Sequence, residues 1–166
     1  MTLIIALVFL VACSAFFSAS ETAFSSLNQI RLKSRAEDGD ASAARVLAMA
    51  EKYDKLLSTI LIGNNIVNIA AASIGTILFT RALGAERGAT MSTIVLTIVV
   101  LIFGEVTPKS LAKEMPETVA TAVSPMLNLL MVLFTPLTWL FSQWKRLLGH
   151  FVHSTEEDTI TAVSYT

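Results

Sequence analysis

The chain has 166 residues, 54% of them apolar and only 15% charged, with a mean hydropathy of +0.66. Soluble domains carry roughly 25% charged residues, so this balance excludes a disordered chain, a collagen-like fibre and a disulfide scaffold, and argues against a water-soluble enzyme. A net charge of −1 offers no attractive field to nucleic acid, and the single Cys13 has no partner for an internal disulfide.

The charges are unevenly spread along the chain. Residues 3–27 contain one, Glu21, and residues 56–80 contain none. About 20 apolar residues cross a hydrocarbon core roughly 30 Å thick, so both segments predict transmembrane helices. Leu10-Val11-Ala12-Cys13 has the look of a lipoprotein cleavage box, but MTLIIALVFL lacks a basic n-region; Cys13 reads better as a small buried thiol. Between these segments, residues 28–55 are rich in Ala, Leu, Glu, Lys and Arg, good helix formers. Gly39 divides them into two helices, with Asp40 and Ser42 available to cap the second. A helical hairpin at the cytoplasmic face is expected.

Residues 89–107 predict a third span, provided Glu105 is held within the protein or near an interface. The uncharged stretch that follows contains Pro125 and Pro136 and ends in Trp139, Trp144, Lys145 and Arg146. Proline breaks helices, and Trp with basic residues suits a membrane interface, so residues 117–150 read as a broken interfacial belt. Three spans place ten of the twelve basic residues on the hairpin side, whereas a fourth span would leave eight. The positive-inside rule therefore favours three spans, with the N-terminus outside and the C-terminus in the cytoplasm. Beyond His153 the tail is polar and frays, and His150 and His153 read as solvated residues.

Each span carries polar residues. Ser18, Glu21, Thr22 and Ser25 share an arc of roughly 100° on the first helix. Asn64 and Asn68 lie one turn apart on the second, where Ala71 and Gly75 extend a small-residue stripe suited to close helix approach. On the third, Pro108 deprives the Gly104 carbonyl of its helical donor, beside Glu105. Ionisable groups at bilayer depth mark functional sites, and no Lys or Arg within the spans is expected to pair with Glu21 or Glu105. The donors are all oxygen, which suits Mg²⁺, Ca²⁺, Mn²⁺ or Na⁺ rather than Zn²⁺ or Cu⁺. The competing reading is structural: Ser, Thr and Asn stitch membrane helices together, and a protonated Glu can donate a hydrogen bond. Convergence on three spans favours the ion site.

The segments SAFFSASETAFSSL, LLSTILIGNNIVN and GEVTPKSLAK resemble the transmembrane (DUF21) domain of the CNNM/CorC family of magnesium transporters, from about residue 3 to about residue 150. The resemblance implies three spans, a cytoplasmic hairpin and a broken belt helix. It also implies an inner-membrane homodimer, with a cytosolic CBS-pair module outside these residues, so that residues 154–166 would begin a linker. It further implies Mg²⁺ export, Na⁺ entry as the driving force, and a link to cobalt resistance. Position by position, Ser18, Asn64, Asn68 and Glu105 match the family's cation site. Glu21 and Thr22 rank second, Gly63 and Gly104 offer carbonyls or close packing, and Lys109 matches a basic residue read as an interfacial anchor.

Two other classes compete with a Mg²⁺ exporter: a regulatory or scaffolding domain with a structural cation, and a divalent-cation channel. No nucleophile–base pair, glycine-rich phosphate loop or metal-hydrolase motif suggests an enzyme. The stripe at 71–75 and the stretch 126–134 are candidate dimer contacts.

Overall fold

The computed structural model describes residues 1–140 together with 143 and 144. Lys145, Arg146, His150, His153, the end of the expected belt and the 154–166 tail lie outside the described residues. The described chain is helical throughout: α1 (Thr2–Ser25), α2 (Gln29–Glu37), α3 (Ala41–Ala50), α4 (Tyr53–Leu83), α5 (Ala85–Val99), a π-helical segment (Val100–Val106), α6 (Thr107–Glu114) and α7 (Pro116–Leu133). Four stretches, Thr2–Ser25, Tyr53–Leu83, Ala85–Glu114 and Pro116–Leu133, are long and apolar enough to cross a membrane. The sequence expects three such spans; α7 meets the same measure of length and apolarity.

The hairpin forms where the sequence places it, and its local chemistry explains why. Asn28 caps α2 by accepting from the Arg31 N–H at 3.1 Å. At the far end Gly39 adopts φ +93°, the Gly39 N–H donates to Ala36 O, and the Asp40 N–H donates to Arg35 O. This doubly bonded, left-handed helix end favours glycine, which has no Cβ to strain. Asp40 then caps α3, accepting from the Ser42 and Ala43 N–H groups at 2.9 and 3.1 Å; Ser42 contributes its backbone to the cap. The Arg35 guanidinium lies 2.6 Å from the same carboxylate.

The core gathers at the hairpin end of the bundle. Phe17 and Phe24 of α1, Leu32 of α2, Val46 and Met49 of α3, Leu56 and Ile60 of α4, Ala112 of α6, and Leu127 and Met131 of α7 form one buried cluster. In the first half of α1, by contrast, Ile5, Val8 and Phe9 are about two-thirds exposed (64%, 65% and 66%), as a lipid-facing surface requires. Where α5 runs back along α4, Gly88 sits on the backbone of Phe79 and Thr80.

Two expectations change. First, Pro125 does not break α7, which continues through it. The Ser124 hydroxyl donates to the Thr121 carbonyl at 3.0 Å, the acceptor that Pro125 leaves without an N–H, and so repairs the ladder as Ser and Thr do in apolar surroundings. The helix instead ends at Leu133, with Phe134 as its C-cap two residues before Pro136. Second, the stripe at Ala71 and Gly75 is not free for a dimer contact: Ala71 is buried, and Leu96 of α5 occupies the space beside Gly75. A glycine stripe brings helices together, and the partner here belongs to the same chain.

Both ends of α7 are tied to the hairpin end. Glu117 pairs with Arg31 at 3.5 Å and Arg35 at 3.3 Å. Beyond the other end, Lys55, near the start of α4, donates to the Thr135 hydroxyl at 3.0 Å.

Gly88→Ala would place a Cβ 2.5 Å from Thr80 Cα and 2.6 Å from Phe79 O, contacts that require backbone to move. It is expected to destabilise the protein by about 1–3 kcal/mol, read as a lower thermal midpoint in detergent. At the hairpin, the Ala43 N–H, the Arg35 guanidinium and the Ser42 N–H hold the Asp40 carboxyl below its ordinary value of 3.8. A depressed folded-state value stabilises fully above the unfolded value, and the contribution is lost as pH falls through the folded one. The difference in thermal midpoint between wild type and Asp40→Asn should therefore be largest at neutral pH and shrink as the medium is acidified below 3.8.

Candidate cation site

The site is assembled where α1, α4 and the π segment meet. Ser14 of α1 is 1% exposed, and its hydroxyl donates to Asn64 Oδ1 at 3.2 Å. The Asn68 amide reaches the same oxygen at 3.5 Å. On the other side of Ser14 stands Gly104, where a Cβ would lie 3.0 Å from Ser14 Oγ. Glycine thus lets the π segment close onto α1 at the level of the asparagines. Gly63 does the same for Phe17, whose ring fills the space beside it.

The helix carrying Glu105 is irregular there. Over Val100–Val106 the winding is π-helical, and the Thr107 N–H donates to Ile102 O, five residues back. Pro108 in the first turn of α6 has no N–H to continue the α-ladder past Gly104. A π turn adds a residue to the winding and redirects the side chains around it, and such turns are frequent at functional sites. Here Glu105 lines a cavity of about 350 Å³ between α4 and α5, with Asn68 across from it.

The polar groups of this region divide into answered and unanswered. Asn64 receives two donors. Asn65 is exposed and donates to the Leu61 carbonyl of its own helix at 2.8 Å, outside the cluster. Asn68 Oδ1 and the Ser18 and Ser92 hydroxyls are buried without a partner among the described residues. Glu105 forms no ion pair among those residues, where the acidic partners are Glu117, Asp40 and Glu21. Unpaired buried acceptors cost free energy unless a donor or cation meets them. No group of three or more His, Cys, Asp or Glu gathers among the described residues; a cation at Asn68 and Glu105 would meet one carboxylate and neutral oxygens.

The sequence candidates separate accordingly. Asn64 and Asn68 come together with Gly104 through Ser14, and Asn68 and Glu105 share the cavity. Ser18 lies one turn nearer the hairpin on α1, buried but not on the cavity wall, and Thr22 follows it towards that end. Glu21 departs furthest from expectation: its carboxylate pairs with Lys109 at 3.1 Å. The sequence expectation concerns Lys and Arg within the spans; this partner comes from just past the third span as read from the sequence. Packing of α6 on α1 carries Lys109, read from sequence as an interfacial anchor, onto Glu21. Ser14 was missed, although it extends the Ser18–Glu21 arc by one turn; an isolated serine on an apolar helix reads equally well as a stitch.

A π-distorted helix crossing two apolar helices, with asparagines and one unpaired carboxylate at the junction, defines a polytopic membrane domain built around a polar centre. The chain belongs to the family described as the cyclin M transmembrane N-terminal domain, which it matches over residues 5–164. It is 47% identical over 135 residues to the UPF0053 inner membrane protein YfjD of Escherichia coli, covering 81% of this chain and 31% of that protein. A UPF0053 protein of Haemophilus influenzae is 40% identical over 151 residues, 91% of this chain and 36% of the relative. The polyamine export protein of E. coli is 32% identical over 151 residues, 84% of this chain and 34% of the relative. The chain thus spans about a third of the length of these curated relatives.

The Glu21–Lys109 pair is one-third to two-fifths exposed (33% and 42%), between the cases of a free surface pair and a buried one. A double-mutant cycle with Glu21→Gln and Lys109→Met, read by unfolding in detergent, is expected to give a coupling of about 1 kcal/mol. Zero coupling would show that the contact does not hold α1 to α6.

Proposed function

We propose that the chain is the membrane domain of a cation exporter that moves Mg²⁺ out of the cytoplasm. One observation carries the reading: Asn68 Oδ1 is buried without a donor among the described residues, and Asn68 shares a cavity wall with Glu105. Two unpaired oxygen acceptors in an apolar bundle suit a hard cation and disfavour an anion. Mg²⁺ is bound through one or two carboxylates with several waters retained, which a cavity of about 350 Å³ has room to accommodate. Ser18, Asn64 and the Gly104 carbonyl are proposed to complete the coordination as the helices rock, with Thr22 as an outlying ligand, while Glu21 is held by Lys109. Na⁺ as the coupling ion rests on the resemblance to the CNNM/CorC transporters.

The proposed topology has three spans, N-terminus outside and C-terminus in the cytoplasm of an inner-membrane protein, with α7 lying as a belt. The tethers at both ends of α7, Glu117 to the hairpin arginines and Thr135 to Lys55, support a helix that stays on the hairpin side. Its outward residues Met126, Leu129, Val132 and Leu133 are more than half exposed and supply an apolar face for lipid or for the second copy of a homodimer. The cytosolic CBS-pair module implied by the resemblance would attach beyond the belt. The relatives named polyamine export proteins supply a second reading, in which a polyammonium ion is the cargo.

Glu105→Ala is expected to weaken Mg²⁺ binding by about tenfold or more, measured by calorimetry on the purified protein, and to abolish Mg²⁺ flux in liposomes while the helical content stays intact. Unchanged binding and flux would refute the assignment. The same liposomes separate the alternatives: spermidine flux in place of Mg²⁺ flux identifies a polyamine exporter, flux indifferent to Na⁺ identifies a channel, and no flux under any gradient identifies a scaffold.

A further inference from the structure

The cavity does not stop at Glu105. Its wall continues along the facing sides of α4 and α5, past Thr97 and Thr93 to Ser92 on one side and from Asn68 to Thr76 on the other. Glu105 and Ser92 are thirteen positions apart, which at about 1.5 Å per residue is ~20 Å along the helix. From Ser92, about 10 Å remains to the start of α5 at the end opposite the hairpin.

The chemistry of this wall is one-sided. The Thr76 hydroxyl donates to Ala72 O at 2.9 Å and the Thr93 hydroxyl to Ala89 O at 3.1 Å, each within its own helix. With their protons committed to carbonyls, these hydroxyls offer lone pairs to anything else that approaches. Ser92 is 1% exposed, and its hydroxyl has no partner among the described residues. A serine present only for its size would be served as well by alanine, without a stranded hydroxyl.

We propose that this α4–α5 groove is the onward path of the cation from Glu105 to the end of the bundle away from the hairpin, with the Ser92 hydroxyl as an intermediate station. The proposal rests on the cation-export reading and extends it from a binding site to a route. Beyond Glu105 the groove offers the hydroxyls of Thr76, Ser92, Thr93 and Thr97 and no carboxylate among the described residues, so a departing cation leaves its charged ligand for weaker neutral ones. Transport requires such a gradient, since a second site as strong as the first would retain the ion.

The test uses the full chain in liposomes with Mg²⁺ as the probe. Ser92→Ala removes one oxygen and adds no bulk; Mg²⁺ binding by calorimetry should stay at the wild-type value while efflux falls by about tenfold. Ser92→Thr, which keeps the hydroxyl, should restore efflux. In a Cys13→Ala background, Cd²⁺ added at the Gly84 end should block efflux by Ser92→Cys and spare the background protein. Wild-type efflux in Ser92→Ala, or a Ser92→Cys protein indifferent to Cd²⁺ from that end, would overturn the route. Loss of Mg²⁺ binding together with efflux would also overturn it, by making Ser92 part of the Glu105 site. Failure of the cation site itself registers separately, as unaltered Mg²⁺ binding in Glu105→Ala.

Discussion

The arrangement of α1, α4 and the α5–α6 helix depends on how polar groups inside apolar helices find partners. Away from water, a stranded donor or acceptor is costly, and this chain meets most of that cost locally. Thr59, Ser73, Thr76 and Thr80 donate to carbonyls one turn back on α4, and Ser124 repairs the gap left by Pro125. Between helices, Ser14 answers Asn64 and Lys109 answers Glu21. What remains after these pairings is a short and specific remainder: Ser18, Asn68 Oδ1 and Ser92, with Glu105 beside them. Of that remainder, Asn68 and Ser92 line the cavity with Glu105, and Ser18 lies outside it.

The two acids of the spans have opposite fates for a geometric reason. Glu105 sits inside the π segment and Lys109 just past it, on the first turn of α6. The altered winding lets one face of a single continuous helix present a carboxylate to α4, while the next turn presents an ammonium to α1. A regular α-helix places residues four apart on the same face, where Glu105 and Lys109 would pair with each other; here Lys109 pairs with Glu21 instead. The distortion that Pro108 helps to set thus separates a fastening contact from an open acceptor.

The hairpin and α7 complete the hairpin end of the bundle. Leu32, Val46 and Met49 join one buried cluster with residues of α1, α4, α6 and α7, while Arg31 and Arg35 hold Glu117. In the opposite half α1 is exposed, while α5 stays packed on α4 at Gly75 and Gly88.

Much of this was legible in the sequence because it is local. Runs of uncharged residues set the helices Thr2–Ser25 and Tyr53–Leu83 to within a few residues, Gly39 and Asp40 marked the hairpin turn through their own backbone chemistry, and Asn64, Asn68 and Glu105 stood out as polar residues in apolar helices. The tertiary structure decided what depends on neighbours distant in sequence. Lys109 is an ion-pair partner because α6 lies on α1; Gly75 is filled by Leu96 because α5 lies on α4; and Pro125 stays within a helix because Ser124 is turned to cap Thr121. Sequence by itself determined which groups would need a partner at bilayer depth, since that follows from residue type and the length of the apolar run. Only the packing of the helices decided which of them found one, since hydrogen bonds and ion pairs form over about 3 Å and helical period alone does not bring separate helices that close.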